Sequence, residues 1–398
     1  MADVRPFTAL RPRDDIAQHV IAPPYDVLSD AEARQIAHER RSFVRITRSE
    51  VDLAPGADAH SDAAYAQARA NLDRFVEEGL LQRDERPTYY LYGQKMGDHH
   101  QVGVLAAASV AEYDAGTIAR HEFTRPDKED DRTHHMDVLD AQVGLVFLTY
   151  RNVPALAFQL KILTNREPAW QVVTDDGVEH TLWVVEDDWV ERMREAFAEV
   201  PKLYIADGHH RSAAASRIHA ARGDEASAYF LAGLFPHDSL LVMAYNRVVH
   251  DLGGLSVDEF LGRVRERFEV TPTTATSPAE RGTYAMVLDG TWYALAAREV
   301  PADPVGRLDV SVLQEQLLGP ILGIDDPRRS TRIDFVGGIH GSDRVAERAT
   351  ERGGVGFVLF PTSLDELFAV ADAGEVMPPK STWFEPKLRE GVVVRGLS

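Results

Sequence analysis

Residues 203–215 have the sequence LYIADGHHRSAAA, and they form the most informative part of the chain. The pattern predicts a short apolar strand, a glycine turn and then an alanine-rich helix that begins near Arg211. A helix N-terminus carries free backbone N–H groups and a partial positive charge, so it attracts anions. Arg211 adds a planar, permanently charged guanidinium that suits phosphate oxygens. The stretch therefore predicts a phosphate site.

The other polar residues of this turn have candidate roles of their own. Gly208 permits close approach and unusual φ angles, while His209 and His210 are candidate hydrogen-bond donors to phosphate. His209 is also a candidate for moving a proton near neutral pH. Asp207 is a candidate for orienting a histidine or holding a cation near a nucleotide. The alternative is an ordinary strand-to-helix turn with a solvent-facing histidine pair.

The overall composition restricts the classes of function. The chain has 398 residues, 44% of them hydrophobic, and a formal charge of −20 at pH 7. An acidic protein repels nucleic-acid backbones and anionic membranes, so we expect neither as a partner. There are no cysteines, which excludes disulfides and thiolate ligands and fits the expected cytoplasmic location. No apolar signal core or membrane-spanning stretch is evident, and a homo-oligomer is compatible with the sequence.

Helical and strand-like patterns alternate, which predicts a mixed α+β architecture. Ser29-Asp30 predict a cap for a helix that starts near Ala31, and a second helix is expected over 61–79. Two hairpins are expected, one from 88–96 with 101–111 and one from 283–289 with 291–297. We place a core domain at 1–252 and a second α/β subdomain at 253–398, whose C-terminal loop is expected to return to the site.

The segment 121–135, with sequence HEFTRPDKEDDRTHH, is the second candidate for chemistry. Glu122 or Asp131 could act as a general base or bind Mg²⁺, while Lys128 or Arg132 could offset phosphate charge. The alternative is a solvated charged loop or helix face. The pattern is not His-Glu-x-x-His, so it does not predict a zinc protease. A histidine-rich metal site remains an alternative, built from His121, His134, His135, His209 and His210.

Two proline-containing segments add further candidates. Residues 377–388, MPPKSTWFEPKL, form a stiff loop that suits a ligand clamp and contributes Lys380, although it lacks the glycines of a Walker A motif. Asp26 follows a rigid Pro-Pro-Tyr run and could be a positioned carboxylate. The alternatives are a structural tail that packs aromatic side chains and a simple turn before a helix.

The chain resembles the domain-of-unknown-function 1015 family over essentially its whole length. The resemblance is carried by six ordered motifs: Arg5-Pro6-Phe7 with Leu10-Arg11-Pro12, Ala22-Pro23-Pro24-Tyr25-Asp26-Val27, His121-Glu122-x-Thr124 with Asp131-Arg132, Asp207-Gly208-His209-His210-Arg211, Tyr245-Asn246-Arg247 and Met377-Pro378-Pro379-Lys380-Ser381-Thr382-x-Phe384. The Asp-Gly-His-His-Arg stretch is also similar to a motif of the ParB/sulfiredoxin superfamily, which includes partition proteins and free serine kinases.

The second resemblance implies a ParB/sulfiredoxin-like nucleotide-binding core with additional α/β elaborations. It also implies that Gly208, His209, His210 and Arg211 bind nucleotide phosphates, and that Asp26 or Glu122 activates a substrate hydroxyl. We therefore expect a phosphotransferase that uses ATP or ADP, with Mg²⁺ as a candidate metal, on a small hydroxylated metabolite such as serine or phosphoserine. A nucleotide-binding switch and a metal-dependent phosphohydrolase are the alternatives. The absence of cysteine excludes sulfiredoxin chemistry.

Overall fold

The computed structural model describes residues 2–398 and divides into two compact units. The first unit contains the residues up to Leu240 together with Pro386–Ser398, and the second contains Leu241–Glu385. The sequence-based division placed its boundary at 252/253 and assigned the C-terminal residues to the second part. In the structure those residues complete a sheet of the first unit, because Val394 pairs with Leu10.

The strands are numbered in chain order. They are β1 Val4–Arg5, β2 Ala9–Pro12, β3 Leu81–Arg83, β4 Tyr90–Met96, β5 His99–Ser109, β6 Ile118–Ala119, β7 Ala141–Gln142, β8 Val146–Tyr150, β9 Trp170–Val173, β10 Glu179–Val184, β11 Leu203–Asp207, β12 Tyr229–Pro236, β13 Leu241–Met243, β14 Tyr245–Val249, β15 Phe268–Pro272, β16 Thr283–Leu288, β17 Thr291–Ala297, β18 Ile333–Gly337, β19 Val355–Leu359, β20 Trp383–Glu385 and β21 Val394–Gly396.

The helices are numbered in the same way. They are α1 Ala17–Val20, α2 Asp30–Ile36, α3 Val44–Thr47, α4 Asp62–Glu77, α5 Val110–Asp114, α6 Pro126–Leu139, α7 Pro154–Leu163, α8 Asp187–Ala198, α9 His209–Arg222, α10 Val257–Arg267, α11 Asp309–Leu313, α12 Gly341–Arg352 and α13 Leu364–Asp372. Short 3₁₀ turns cover Tyr25–Val27, Ser49–Asp52, His237–Ser239 and Gly338–His340, and a π-helical turn covers Gln314–Leu318.

A mixed sheet forms the centre of the first unit, with strand order β6-β11-β8-β12-β5-β4-β10-β9 and β1 paired to β5. β11 lies parallel to β6 and antiparallel to β8, and β8 lies parallel to β12. The strands are rich in β-branched and aromatic residues whose side chains pack into one buried core, including Val146, Leu148, Ile205 and Phe230. This core fixes the carboxyl end of β11, where the candidate phosphate site begins.

A smaller sheet of the first unit, in the order β3-β2-β21-β7, covers a second buried core. Phe43, Phe75 and Leu72 fill this core at exposures of 4% or less. Helix α2 starts as predicted, because the Ser29 hydroxyl accepts from the Glu32 N–H and the Glu32 carboxylate accepts from the Ser29 N–H. Strand β2 of this sheet belongs to the N-terminal segment, which continues to the Tyr25–Val27 turn.

The second unit is built on an antiparallel sheet in the order β15-β17-β16-β19-β14-β18, with β13 paired to β20. The predicted hairpin of β16 and β17 is confirmed, and its turn residues Asp289 and Gly290 have φ angles of 47° and 72°. Positive φ at both turn residues matches the twist of the two strands. Val248, Val287 and Val336 lie in the buried core of this unit.

The predicted mixed α/β class is confirmed. The predicted first hairpin, β4 with β5, is also present, as is the helix expected at 61–79, which corresponds to α4. The proline-rich region 5–28 contains the single-turn helix α1 and the Tyr25–Val27 turn. Within residues 2–398, no helix combines the length and apolar character needed to cross a bilayer.

Candidate functional site

The predicted strand–turn–helix is present at the end of β11. β11 ends at Asp207, α9 begins at His209, and Gly208 links them at a φ of 93°, which favours glycine. A Cβ atom at position 208 would lie 3.3 Å from the Cα atom of Val146 in the neighbouring strand. No side chain among residues 2–398 caps the start of α9. The first-turn N–H groups are therefore positioned to receive an anion.

Arg211 lies in the first turn of α9 and is held by two hydrogen bonds. Its Nη1 donates to the carbonyl oxygen of Leu145 at 3.1 Å, and its Nη2 donates to Oε1 of Glu390 at 3.3 Å. Burial lowers the pKa of the guanidinium, but the negative charges of Asp26 and Glu390 outweigh burial, and the pKa lies above its ordinary value. Arg211 is therefore a fixed positive charge beside the helix N-terminus.

Asp207 carries a negative charge at the same turn. Its Oδ1 accepts a hydrogen bond from the N–H of Gly208 at 2.8 Å, and its Oδ2 lies 3.6 Å from Nζ of Lys387. Burial raises the pKa of this carboxyl group, but Lys387 and Arg211 outweigh burial, so the pKa is lowered. The side chain is 44% exposed, so an ionised, solvent-accessible carboxylate stands next to the anion site.

His209 is buried, and its ring packs edge-on against the ring of His121 with 4.6 Å between centroids. Burial lowers the pKa of His121 to about 4 and lowers that of His209 well below its ordinary value. Both rings are therefore neutral near pH 7. Among the described residues, Nε2 of His209 and Nδ1 of His121 have no hydrogen-bond partner.

The segment 121–135 lies against the turn. The N–H of Arg125 donates to Nε2 of His210 at 3.1 Å, and helix α6 begins at the next residue. Oε2 of Glu122 lies 3.9 Å from Nδ1 of His209, and the Glu122 side chain is 46% exposed. The predicted phosphate ligand His210 thus also caps the segment that leads into α6.

Asp131, a predicted base or Mg²⁺ ligand, is buried within a hydrogen-bond network. Its Oδ1 accepts from the Tyr65 hydroxyl and contacts His60 Nδ1, each at 2.7 Å, and its Oδ2 accepts from Nε of Arg132 at 2.7 Å. Burial raises the pKa of Asp131, but Arg132 and the hydrogen bonds outweigh burial and lower it. Asp131 therefore serves to fix Arg132.

Tyr25 brings the N-terminal motif to the site. The guanidinium carbon of Arg132 lies 4.1 Å from the centre of the Tyr25 ring, and that of Arg211 lies 5.4 Å from it. Both distances are within the range of cation–π attraction. Asp26 follows in the same 3₁₀ turn and is exposed. The two predicted cations of the site thus share one aromatic ring.

Glu390 is a residue of the site that the sequence analysis did not identify. It is 4% exposed, and its backbone pairs with that of Ala22, just before the Pro-Pro-Tyr-Asp run. With Arg132, Arg211, Thr47 and other residues it lines a cavity of about 30 Å³. The backbone pairing with Ala22, which is distant in sequence, brings Glu390 to the site. No local sequence motif therefore identifies Glu390 as a site residue.

Two further predictions concern Lys380 and the alternative metal site. Lys380 lies in the second unit, where its φ is 59° and its Nζ lies 5.3 Å from the centre of the Tyr245 ring. Its role in binding nucleotide stays a prediction.

Within residues 2–398, no three histidine, aspartate or glutamate side chains are grouped to hold a metal ion, and His135 instead contacts the carbonyl oxygen of Ile46. The alternative histidine site is therefore not preformed.

Comparison with solved structures finds relatives of low similarity, including the three that follow. A free serine kinase in complex with AMP is 15% identical with a TM-score of 0.36, covering 71% of this chain and 86% of that one. SbnI from Staphylococcus aureus, with a C-terminal truncation, is 12% identical with a TM-score of 0.38, covering 71% and 84%. A conserved hypothetical protein from Pyrococcus furiosus is 14% identical with a TM-score of 0.36, covering 71% and 90%. Similarities of this strength assign no ligand or activity to this chain.

Comparison of sequences gives the family. No curated protein matches the chain significantly. The model of the family described as a protein of unknown function, DUF1015, matches residues 4–311, which include both the Pro-Pro-Tyr-Asp and the Asp-Gly-His-His-Arg stretches. The chain therefore belongs to the DUF1015 family.

Proposed function

We propose that this protein is a nucleotide-dependent phosphotransferase that acts on a small hydroxylated metabolite. One observation carries the proposal: a fixed guanidinium, that of Arg211, stands in the first turn of an uncapped helix beside a small cavity. Phosphoryl transfer depends mainly on positioning and charge neutralisation, which this arrangement provides. Serine and phosphoserine are the first metabolites to test.

The residues at the turn suit the phosphates of ATP or ADP. Gly208 lacks a side chain that would shield the backbone, and α9 is long enough, at 14 residues, to present a helix dipole. A guanidinium has five N–H donors, and the two hydrogen bonds of Arg211 described above leave further donors for phosphate oxygens. The nucleotide supplies the phosphoryl group that is transferred.

A magnesium ion fits this site only together with the nucleotide. Mg²⁺ is commonly held by one or two carboxylates and by substrate phosphates, and it keeps several waters. Asp207 supplies one ionised, half-exposed carboxylate at the turn. We therefore propose that Asp207 holds Mg²⁺ through the bound nucleotide.

The acceptor hydroxyl needs a carboxylate to take its proton. Asp26 and Glu122 were predicted for this role, and both are exposed near the turn. His209 is a weaker candidate for proton transfer at neutral pH, because burial holds its pKa far below 7.

A binding and turnover experiment tests the proposal. The intact protein is titrated calorimetrically with ADP and ATP, with and without Mg²⁺, and product formation with serine, phosphoserine and other small alcohols is followed by ³¹P NMR. We expect saturable nucleotide binding and transfer to at least one hydroxyl. Binding without transfer to any hydroxyl, water included, would instead support the nucleotide-switch alternative, and hydrolysis that requires a transition metal would support the phosphohydrolase.

A further inference from the structure

The cavity beside Arg211 contains polar atoms that lack partners. Oε2 of Glu390 and Oγ1 of Thr47 are buried, and both residues line the cavity. The Thr47 hydroxyl lies close enough to the Glu390 carboxyl group to lower its pKa, but among residues 2–398 neither of the two atoms makes a hydrogen bond of good geometry. Buried polar groups in native proteins are nearly always satisfied, so each exception requires an explanation. A volume of about 30 Å³ accommodates roughly two water molecules or a hydroxymethyl group.

Glu390 is held rigidly with one oxygen facing Arg211. Its backbone exchanges two hydrogen bonds with Ala22, at 3.0 and 2.9 Å. Oε1 accepts from Nη2 of Arg211 at 3.3 Å, whereas no described residue donates a hydrogen bond of good geometry to Oε2, which can therefore accept from a bound hydroxyl. The carboxyl group is therefore oriented in advance, and no rearrangement is needed for it to receive a hydrogen bond.

Positive charge surrounds the same cavity. Arg132 and Arg211 both line it, and Asp131 and Tyr25 keep Arg132 in place. A phosphoryl group at the α9 N-terminus would therefore lie beside a cavity that combines two guanidinium groups with one incompletely bonded carboxylate. This is the combination that phosphoryl transfer to a hydroxyl requires.

Resting on the proposed function, we propose that this cavity is the subsite for the acceptor hydroxyl and that Oε2 of Glu390 accepts its proton. The hydroxyl oxygen attacks the terminal phosphorus of the nucleotide, and a new O–P bond forms. The bond between that phosphorus and the bridging oxygen breaks, and the shortened nucleotide leaves with the electron pair. The proton passes from the hydroxyl to Glu390 and later to solvent. Thr47 orients the hydroxyl through its own Oγ1.

Burial is consistent with this role for Glu390. It raises the pKa of Glu390 against the opposing effects of Arg211 and of the Thr47 hydroxyl, which brings the carboxylate closer to the pH at which a general base works best. Asp26 and Glu122 are solvated, so water competes for their oxygens. Glu390 is shielded from that competition, as it is 4% exposed.

The test separates proton transfer from nucleotide binding. Glu390→Gln keeps the size and the hydrogen-bond acceptor toward Arg211 but removes the base. We expect Glu390→Gln to bind nucleotide within about threefold of wild type and to lose turnover by about 100-fold or more, the usual contribution of a general base. Thr47→Val should bind nucleotide normally and lose turnover by about tenfold, as expected for one neutral hydrogen bond.

A matched control is Glu366→Gln in the second unit, since Glu366 is also buried and also paired with an arginine, Arg281, at 2.8 Å. It should leave turnover unchanged. If Glu390→Gln retains turnover within about threefold, or loses nucleotide binding to the same extent as turnover, the assignment is overturned. If the wild type neither binds nucleotide nor transfers phosphate to any hydroxyl, the proposed function itself is wrong.

Discussion

Arg211 donates from Nη2 to Oε1 of Glu390 at 3.3 Å, across a separation of 179 residues. This pair joins the first turn of α9 to the C-terminal segment of the first unit. The buried carboxylate of Glu390 compensates part of the charge of the Arg211 guanidinium, whose side chain is 16% exposed, and so helps to keep it oriented at the turn. A phosphate at the helix N-terminus would join this pair through the remaining N–H donors of Arg211.

Replacing Arg211 should weaken nucleotide binding. Arg211→Gln removes charge-assisted hydrogen bonds to phosphate, so we expect the Kd for ADP to rise by about 10- to 100-fold. Calorimetric titration measures it. The matched control is Arg217→Gln, on the same helix but 44% exposed and paired with Asp130 at 2.8 Å, which should leave the Kd unchanged. Equal affinities for the wild type and Arg211→Gln would remove Arg211 from the site.

Adding a methyl group at the turn should disturb both stability and binding. Gly208→Ala forces an L-residue to a φ of 93° and brings its Cβ to 3.3 Å from Val146 Cα, so we expect a loss of about 1–3 kcal/mol in the free energy of unfolding and weaker ADP binding. Gly223→Ala, at the other end of α9, also has a positive φ but open space around it. It should cost about 1 kcal/mol and leave binding intact. Urea denaturation and calorimetry measure the two effects, and identical behaviour of the two variants would contradict the account.

The exposed carboxylates should matter less than the buried one. Asp26→Asn and Glu122→Gln change groups that water already solvates, so we expect each to keep turnover within about tenfold of wild type. Steady-state assays at saturating nucleotide compare them with Glu390→Gln. If turnover falls by about 100-fold in either variant while Glu390→Gln stays active, the residue changed in that variant, and not Glu390, is the proton acceptor.

Buried histidines should make the protein sensitive to mild acid. Burial lowers the pKa of His121 to about 4, that of His135 to about 3 and that of His180 to about 3, against 6.5 in the unfolded chain. The unfolded state then binds more protons below pH 6.5, so the free energy of unfolding falls as pH drops from 6.5 toward 4, by about 1.4 kcal/mol per pH unit for each histidine. Asp309, whose pKa burial raises to about 6, acts in the opposite sense and offsets part of the loss.

Urea denaturation between pH 7.5 and 4.5 measures this slope. His180→Gln should reduce the slope by about one proton. A free energy of unfolding that stays constant through this range would show that these histidines are not held neutral.

The turn at 207–211 could be predicted from sequence because its signals are local. A glycine between an apolar strand and an alanine-rich helix requires the conformation that Gly208 adopts. Glu390 could not be predicted in this way, because its position depends on the backbone pairing with Ala22. Asp131 was predicted as a base, but its hydroxyl and guanidinium partners come from distant segments that the sequence does not identify.

The same distinction holds for the secondary structure. The hairpin at Asp289-Gly290 has a strong turn signal and was predicted correctly. Helix α12 was missed, because its buried face consists of little more than Val345 and Ala349, too few apolar residues for a clear helical period. Helix α7 was not predicted, although Pro154 occupies the first position that proline favours in a helix.

The most direct test of the central claim is a crystal structure of the protein with ADP and Mg²⁺ at saturating concentration. We expect phosphate density on the N–H groups of His209, His210 and Arg211, with the Arg211 guanidinium on a phosphate oxygen. Nucleotide density elsewhere, or an unoccupied turn at concentrations that saturate binding in solution, would contradict it.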